Sequence, residues 1–367
     1  MNTYRDLFFL EMAYGLAEKA WGWSSPNPYV GAVIVKNGTI VGTGYHKKPG
    51  KPHAEAIALQ KAGDKAKNAT AYITLEPCVH WGRTPPCVDG LIQAGIKRVV
   101  ISALDPNPLV HKKGLRSLQK AGIQISHGLL AEKNSRLNEA YNKYIRKKIP
   151  FVAAKVATTL DGKMSTWAQD SRWITSEQTR KYVHLLRGEY MAIMVGINTL
   201  LRDDPMLTIR HPSWQKKPIT RVVIDSQLRF PPGAKILRTR ARGRIWVFTH
   251  RSGKGKRALE LEKQGVEIIT LPKSQTGRID MKRVLDWLGK QEISSVLVEG
   301  GPRLLTNLIE KRLLDKIFVT FSPKLVGGEE APTFFEGKGI STIARSIRLK
   351  KTNCFTIGND MILEGYF

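Results

Sequence analysis

The segment His53-Ala54-Glu55 is followed, after about the length of one strand, by Glu76-Pro77-Cys78-Val79-His80-Trp81-Gly82-Arg83-Thr84-Pro85-Pro86-Cys87. One imidazole and two thiolates can hold a zinc ion with its fourth position open. That separates a catalytic site from a structural one, which closes all four positions with protein ligands. The pattern constrains the fold, because the chain must return so that His53 meets both cysteines. An apolar run, Ala71-Tyr72-Ile73-Thr74-Leu75, reads as a strand leading into the cysteine segment. Pro52 and Pro77 stand where helices begin. Both halves of the site are therefore expected at helix N-termini, where partial positive charge favours thiolate and metal ligation.

A histidine and two cysteines are more often core residues than ligands, since free cysteine is among the most buried residue types. Here Glu55 argues for chemistry: it lies beside a ligand yet is free to move protons. His-x-Glu followed by Pro-Cys and a second Cys is the zinc-deaminase signature, in which an activated water attacks an amidine-like carbon and the Glu shuttles protons. The third cysteine, Cys354, has no neighbouring partner in sequence and is expected to be buried.

A chain of 367 residues is long for one domain, so two are expected. With two of its three cysteines assigned to a metal, no disulfide framework remains, which fits a reducing compartment. The N-terminus opens an amphipathic helix, with Thr3 and Asp6 spaced as a capping-box variant, and lacks the pattern of a signal peptide. No apolar run is long enough to span a membrane. A cytoplasmic location is the expectation.

The net charge of +28 invites a nucleic-acid reading. Its distribution argues against one. Residues 1–150 hold 22 Lys and Arg against 10 Asp and Glu, and residues 151–367 hold 37 against 21, a similar density in both halves. The densest runs, Arg146-Lys147-Lys148 and Lys254-Gly255-Lys256-Arg257, are short and lack interleaved aromatics. The background is diffuse, and no specific nucleic-acid partner is expected.

Residues 1–145 read as an α/β sandwich. A helical period runs through Leu7, Leu10, Tyr14, Ala17 and Trp21; a hairpin turns at Lys36-Asn37-Gly38 between strands 30–35 and 39–44. A helix follows His53, then strand 71–75, a helix at 87–94, strand 98–103, a helix near 113–121 and a short strand at 123–125. Residues 146–367 read as a second α/β domain with a mostly parallel sheet covered on both faces. Its strands are expected at 151–156, 192–196, 220–225, 244–248, 296–299 and 316–321, and its helices near 176–187, 280–290 and 302–313. No Gly-x-Gly-x-x-Gly fingerprint appears. Val298-Glu299-Gly300-Gly301-Pro302 instead ends a strand in paired glycines before a helix, a place where backbone amides can cradle phosphate or simply turn.

Together these motifs resemble the bifunctional riboflavin-biosynthesis deaminase/reductase family over essentially the whole chain. The first half matches through Pro26-Asn27-Pro28-Tyr29-Val30-Gly31, Gly42-Thr43-Gly44-Tyr45-His46, His53-Ala54-Glu55, 76–87 and Asp105-Pro106-Asn107-Pro108. The second matches through Leu160-Asp161-Gly162-Lys163, Ser171-Arg172-Trp173-Ile174-Thr175, Leu186-Arg187, Asp203-Asp204-Pro205, 221–226 and Glu299-Gly300-Gly301. The spacing of eight residues between Cys78 and Cys87 is specific, since cytidine-type and nucleic-acid deaminases usually place two there. One departure falls at Leu109-Val110-His111-Lys112-Lys113-Gly114, where the family usually has a Gly-x-Gly turn. Another is Thr158-Thr159, where a pair such as Ala-Ser is more usual.

The resemblance implies a cytidine-deaminase-like N-terminal domain and a dihydrofolate-reductase-like C-terminal domain. It implies one zinc per chain on His53, Cys78 and Cys87, with Glu55 as general acid/base and Asn27, His46, His80, Arg83, Asp105 and Asn107 around the substrate. In the second half it implies NADPH beside Thr158, Trp173, Thr199, Asp203, Ser226 and the segment from Gly301. Substrate would meet Ser171, Arg187, Leu207, Arg210 and Glu299, the two arginines gripping phosphate bidentately. The partner is then a small molecule, and a homo-oligomer, dimer or tetramer, is expected. Against this stand two other readings: a nucleic-acid-editing deaminase with a basic accessory domain, and a zinc-stabilised scaffold without catalysis. The first would need a basic channel with stacking aromatics, the second a fourth protein ligand.

Overall fold

The computed structural model describes residues 3–81, 85–214, 217–273 and 277–367. The chain divides into two compact units, 1–148 and 149–367. In the first, helix α1 (Thr3–Ala17) precedes the hairpin β1 (Gly31–Lys36) and β2 (Thr39–Tyr45), then α2 (Ala54–Ala62), β3 (Thr70–Leu75), α3 (Cys87–Gln93), β4 (Arg98–Ala103), α4 (Lys113–Lys120), β5 (Gln124–His127), α5 (Ala131–Leu137) and α6 (Glu139–Lys147). The sheet order is β2-β1-β3-β4-β5, with β1 antiparallel to both neighbours and β3, β4 and β5 parallel. Asn37 and Gly38 both take positive φ, as the hairpin signal requires.

Alternation along the strands makes two cores. Ile34, Ile73 and Ile101 meet Ala58, Leu91 and Leu118 from α2, α3 and α4 on one face; Val33, Tyr72 and Val100 meet Phe9, Leu10 and Ala13 of α1 on the other. Helix α2 lies unusually close to β2. A Cβ on Gly42 would come within 2.2 Å of the Ala58 carbonyl oxygen, and one on Gly44 within 2.2 Å of that of Ala54. These glycines set how near the sheet His53 and Glu55 can sit.

In the second unit β6 (Phe151–Thr159), α7 (Glu177–Glu189), β7 (Ala192–Gly196), α8 (Ile197–Asp203), β8 (Thr220–Ile224), β9 (Ile245–Thr249), α9 (Lys256–Lys263), β10 (Val266–Thr270), α10 (Met281–Lys290), β11 (Ser295–Val298), α11 (Pro302–Glu310), β12 (Lys316–Ser322), β13 (Lys350–Ile357) and β14 (Asp360–Tyr366) follow in order. The nine strands run β10-β9-β8-β7-β11-β6-β12-β14-β13, parallel as far as β12 and antiparallel through β14 and β13. Leu285, Leu288, Leu305 and Leu308 of α10 and α11 pack on Val152, Met194 and Val296, while Ile193, Val223 and Leu297 are also fully buried. Burial on both faces is what a parallel sheet requires.

Several local expectations are corrected. Asp6 does not cap α1; its carboxylate takes Arg98 at 2.7 and 2.8 Å and the Tyr72 hydroxyl at 3.1 Å. Strand β5 begins at Gln124 and runs to His127 rather than covering 123–125. Cys354 is exposed, because β13 is an edge strand with polar, solvated residues. That polarity also hid β13 from the periodicity that reveals the inner strands.

Candidate active sites

In the first unit His53 is the residue that precedes helix α2, with extended backbone (φ −71°, ψ 165°), so its ring stands at the helix N-terminus and Glu55 falls in the first turn. Cys87 opens α3, preceded by Pro86. Pro77, in contrast, begins no helix: residues 76–81 are irregular, and Cys78 is carried on that loop. His53 Nδ1 lies 3.2 Å from Cys87 Sγ and 3.6 Å from Cys78 Sγ, and the three ligand atoms all fall within 4.8 Å of one another. Tetrahedral zinc with ordinary Zn–N and Zn–S bonds needs N···S edges of roughly 3.6 Å, so the donor set fits the ion.

The Cys87 amide donates to Cys78 Sγ at 3.4 Å. Contact with Cys87, together with His53, brings the Cys78 thiol down to about 4. The Cys87 thiol is pushed up by the neighbouring Cys78 and by burial. The Glu55 carboxyl is fully buried, and burial raises it above the usual carboxylate range. A carboxyl poised to hold a proton is what a general acid/base needs.

Around this centre the side chains are tied to one another. Asn27 Nδ2 donates to His46 Nε2 at 3.0 Å, and His46 Nδ1–H donates to the Pro52 carbonyl at 3.2 Å, next to His53. Both ring nitrogens of buried His46 are thus engaged, and its effect is to orient Asn27 and the entry to α2. Asp105 accepts from the Tyr141 hydroxyl at 2.9 and 3.1 Å and from the Asn107 amide at 2.8 Å; burial lifts its carboxyl to about 6. Asn107 in turn accepts from the Leu109 amide. His80 lies on the Cys78 loop, its Nδ1 buried without a hydrogen-bond partner among the described residues. Arg83 lies outside the described residues.

Glu76, a motif residue with no expected role, organises the departing loop. Its carboxylate accepts the amides of Asp105, Lys112, Gly114 and Leu115. Gly114 is required there, since a Cβ would lie 2.4 Å from the Pro77 carbonyl oxygen. Lys112 takes the left-handed conformation (φ 60°) within the stretch that lacks the family's first glycine. The loop pays that strain in a lysine and keeps its closure through Glu76.

The second unit holds a cleft of about 460 Å³ outside the carboxyl ends of β6, β7 and β11, the usual ligand position in open α/β sheets. Ser171, Trp173, Arg187, Thr199, Asp203, Leu207, Arg210, Glu299 and Gly301 all line it. Thr158 and Ser226 are not among its lining residues. The Thr158 hydroxyl is buried and donates to the Thr320 carbonyl, and the Ser226 carbonyl accepts from the Thr249 hydroxyl. Trp173 is no core aromatic: it is 62% exposed, with the Arg180 guanidinium 4.4 Å from its ring centre. Gly301 precedes α11, whose first residue is Pro302.

The two arginines differ from the expectation that both grip phosphate. Arg187 Nε and Nη2 donate to the two oxygens of Glu299 at 2.6 and 2.9 Å, and Nη1 to the Thr208 carbonyl at 3.0 Å. Its fork is spent within the protein, because α7 and the end of β11 bring the opposite charges together in a half-dry cleft. Arg210 is exposed, and among the described residues only its Nε is engaged, donating to His184 Nε2 at 3.1 Å. Leu207 takes φ 49° while buried, which turns the chain so that the Thr208 carbonyl reaches Arg187. Sequence reasoning missed Lys155 and His184, which also line the cleft. Burial lowers Lys155, with Glu299 opposing, and burial together with Arg187 and Arg210 brings His184 down to about 4. Lys155 is a lone charge in the apolar run of β6 and His184 is one polar residue among many on α7, and neither falls in a motif, so no local signal marked them.

Comparison with known proteins follows the same division. Residues 3–103 match the family model of the cytidine and deoxycytidylate deaminase zinc-binding region, and residues 150–363 that of the RibD C-terminal domain. The riboflavin biosynthesis protein RibD of Aquifex aeolicus is 43% identical over 98% of this chain and 97% of its own, and that of Escherichia coli 40% identical over 98% and 99%. Among solved structures, Acinetobacter baumannii RibD superposes with a TM-score of 0.88 at 33% identity, covering 100% of this chain and 99% of that one. A Thermotoga maritima diaminohydroxyphosphoribosylaminopyrimidine deaminase/5-amino-6-(5-phosphoribosylamino)uracil reductase does so at 0.87 and 34%, with the same coverage. Both halves match in order and nearly end to end: the chain belongs to the RibD family of bifunctional riboflavin-biosynthesis enzymes, with a zinc-dependent deaminase domain followed by an NADPH-dependent reductase domain.

Proposed function

We propose that this chain deaminates 2,5-diamino-6-ribosylamino-4(3H)-pyrimidinone 5′-phosphate and then reduces the ribosyl group to ribityl, giving 5-amino-6-(5-phosphoribitylamino)uracil. The observation that carries the first step is the open three-donor set with a fully buried Glu55 beside it. His53, Cys78 and Cys87 would hold zinc, which when bound makes a water nucleophilic at neutral pH. Glu55 takes the proton from that water and delivers it to the departing amine, so ammonia leaves neutral. Asn27, held by His46, offers its amide oxygen to the pyrimidinone. Asp105, Asn107, His80 and Arg83 complete the substrate's surroundings, with Arg83 suited to the phosphate.

In the second unit NADPH, when bound, would supply a hydride to C1′ of the ribose. Lys155 would protonate the ring oxygen as it is released, with Glu299 and Arg187 holding the local charge balance. Ser171, Leu207 and Arg210 would contact substrate. Trp173, Thr199, Asp203 and Gly301 would face the cofactor, and Thr158 and Ser226 would line its continuation beyond the cleft. The division is taken at residues 1–145 and 146–367. A reducing, cytoplasmic setting is supported by three free cysteines and by the absence, among the described residues, of any helix long and apolar enough to cross a membrane. A homo-oligomer is supported by large apolar side chains left exposed on α1, Tyr4 and Phe8.

The test is a coupled assay on purified full-length protein with zinc, NADPH and the diaminopyrimidinone phosphate. Equal amounts of ammonia and oxidised NADPH are expected, ammonia appearing first. Ammonia release from cytidine or from single-stranded nucleic acid in preference to this substrate would contradict the reading.

A further inference from the structure

Helix α7 presents His184 and Arg187, one turn apart, to the same cleft. Arg187 is consumed by Glu299 and the Thr208 carbonyl. Of the cleft's other guanidinium groups, Arg180 lies over Trp173 and donates to the Thr175 carbonyl, and Arg202 pairs with Asp203. Arg202 and Arg210 are each held only at Nε among the described residues, but Arg202 is held by a carboxylate that neutralises it, whereas Arg210 is held by an uncharged ring and keeps its charge for a ligand. What fixes it is His184, whose Nε2 must present a lone pair to accept from Arg210 Nε at 3.1 Å. That requires a neutral ring with its proton on Nδ1, facing the Thr208 carbonyl; Arg187 Nη1, 3.5 Å from Nδ1, donates to the same carbonyl at 3.0 Å, so the shorter Arg210 bond sets the tautomer.

The surroundings enforce this state. The charged groups that face the ring are Arg187 on its own helix, Arg210 on the loop after α8 and Glu299 at the end of β11, and Glu299 is already neutralised by Arg187. Two cations against one compensated anion disfavour an imidazolium. An arginine held at Nε loses little further freedom when its two terminal amino groups meet an anion, whereas a free side chain must first be ordered.

We propose that His184 is a positioning residue for the reductase half: its neutral ring anchors the Arg210 guanidinium at Nε and leaves both terminal amino groups aimed at the phosphate of the substrate. This rests on the reading that the cleft receives a sugar phosphate. His184 touches no reacting atom. It sets the affinity for the phosphate and leaves the hydride-transfer step alone.

The experiment uses the full-length protein and ribose 5-phosphate as the probe, with ribose as its uncharged control, in isothermal titration calorimetry. His184→Leu should weaken ribose 5-phosphate binding roughly tenfold, the loss expected when a hydrogen bond to a charged group is removed. Arg210→Ala should weaken it at least as much, and the double variant no further, because one residue acts through the other. His184→Gln, whose amide oxygen can accept from Nε, should restore most of the affinity. In turnover, His184→Leu should raise KM for the deaminated sugar phosphate and leave kcat within about twofold. Unchanged probe affinity in His184→Leu, additive losses in the double variant, or no rescue by Gln would overturn the proposal; so would wild-type protein that fails to bind the probe. Probe binding without NADPH oxidation would instead refute the reductase reading while the His184 comparison still decides this one. Should His184→Leu fail to fold, ring-¹⁵N histidine spectra of the wild type decide: the neutral Nδ1–H tautomer at neutral pH agrees, and an imidazolium overturns.

Discussion

In the first unit the groups that would carry chemistry come from residues 53–87: Glu55 and Cys87 are buried, His53 and Cys78 half-buried, and the four sit at two helix starts and one loop. In the second they come from residues 155–301, on elements from β6 to α11, around an open cleft. The difference follows from what each site must hold. A small ion bound by three donors needs few residues and local precision. A dinucleotide and a sugar phosphate need a surface, which a parallel sheet supplies where its strands end. The comparison implies two sites that fail separately, and substitutions can break or sharpen it.

The largest effect is expected at Glu55. Glu55→Gln keeps all three ligands and removes the proton carrier, so ammonia release should fall about 100- to 10,000-fold, with zinc content unchanged by metal analysis. Reduction of pre-deaminated substrate should continue at the wild-type rate. A matching loss of reduction would break the separation of the two sites.

Arg187→Ala is the corresponding blow to the second unit. It leaves Glu299, at 11% side-chain exposure, without its bidentate partner, and removing one partner of such a pair costs about 3 kcal/mol. Thermal unfolding should show a destabilised second unit and reduction should be lost, while ammonia release persists. Equal damage to deamination would contradict the account.

The Glu55 centre was legible because its four residues fall in contiguous motifs whose types have few other uses. The hairpin at Asn37-Gly38 and the inner strands were legible for a similar reason, since turn chemistry and apolar runs are local signals. The Arg187–Glu299 pair was not, because its partners lie 112 positions apart and nothing in either segment announces the other. Lys155 was hidden as a lone charge in the apolar run of β6, and His184 as one polar residue among many on α7. Glu76 was visible as a motif residue, but its four amide partners run from the loop after β4 into the first turn of α4, a path only the fold reveals.

A smaller, pH-dependent effect is expected in the first unit. Burial raises the Asp105 carboxyl to about 6, above its unfolded value near 4. The folded state therefore binds more protons between those values, and this group's contribution, present below pH ~4, is lost as pH rises through ~6. Asp105→Asn should then be more stable than wild type above that window, by at most about 3 kcal/mol before any weakening of the Tyr141 bond, with the difference vanishing at its acid end. Chemical denaturation across the window measures it. A difference that grows toward acid would contradict the sign.

The smallest effect concerns charge. Both halves carry a similar density of excess Lys and Arg, so transfer RNA should bind weakly and lose affinity steeply with salt, by fluorescence anisotropy. Tight, sequence-selective binding would revive the editing alternative.

The most direct test removes zinc from the full-length protein with a chelator and follows ammonia release and NADPH oxidation as zinc is returned. Ammonia release should vanish on stripping and recover in proportion to bound zinc, up to one ion per chain, while NADPH oxidation with pre-deaminated substrate stays constant throughout. Ammonia release that survives full removal of zinc, or NADPH oxidation that falls and recovers with it, would contradict two separate sites on one chain.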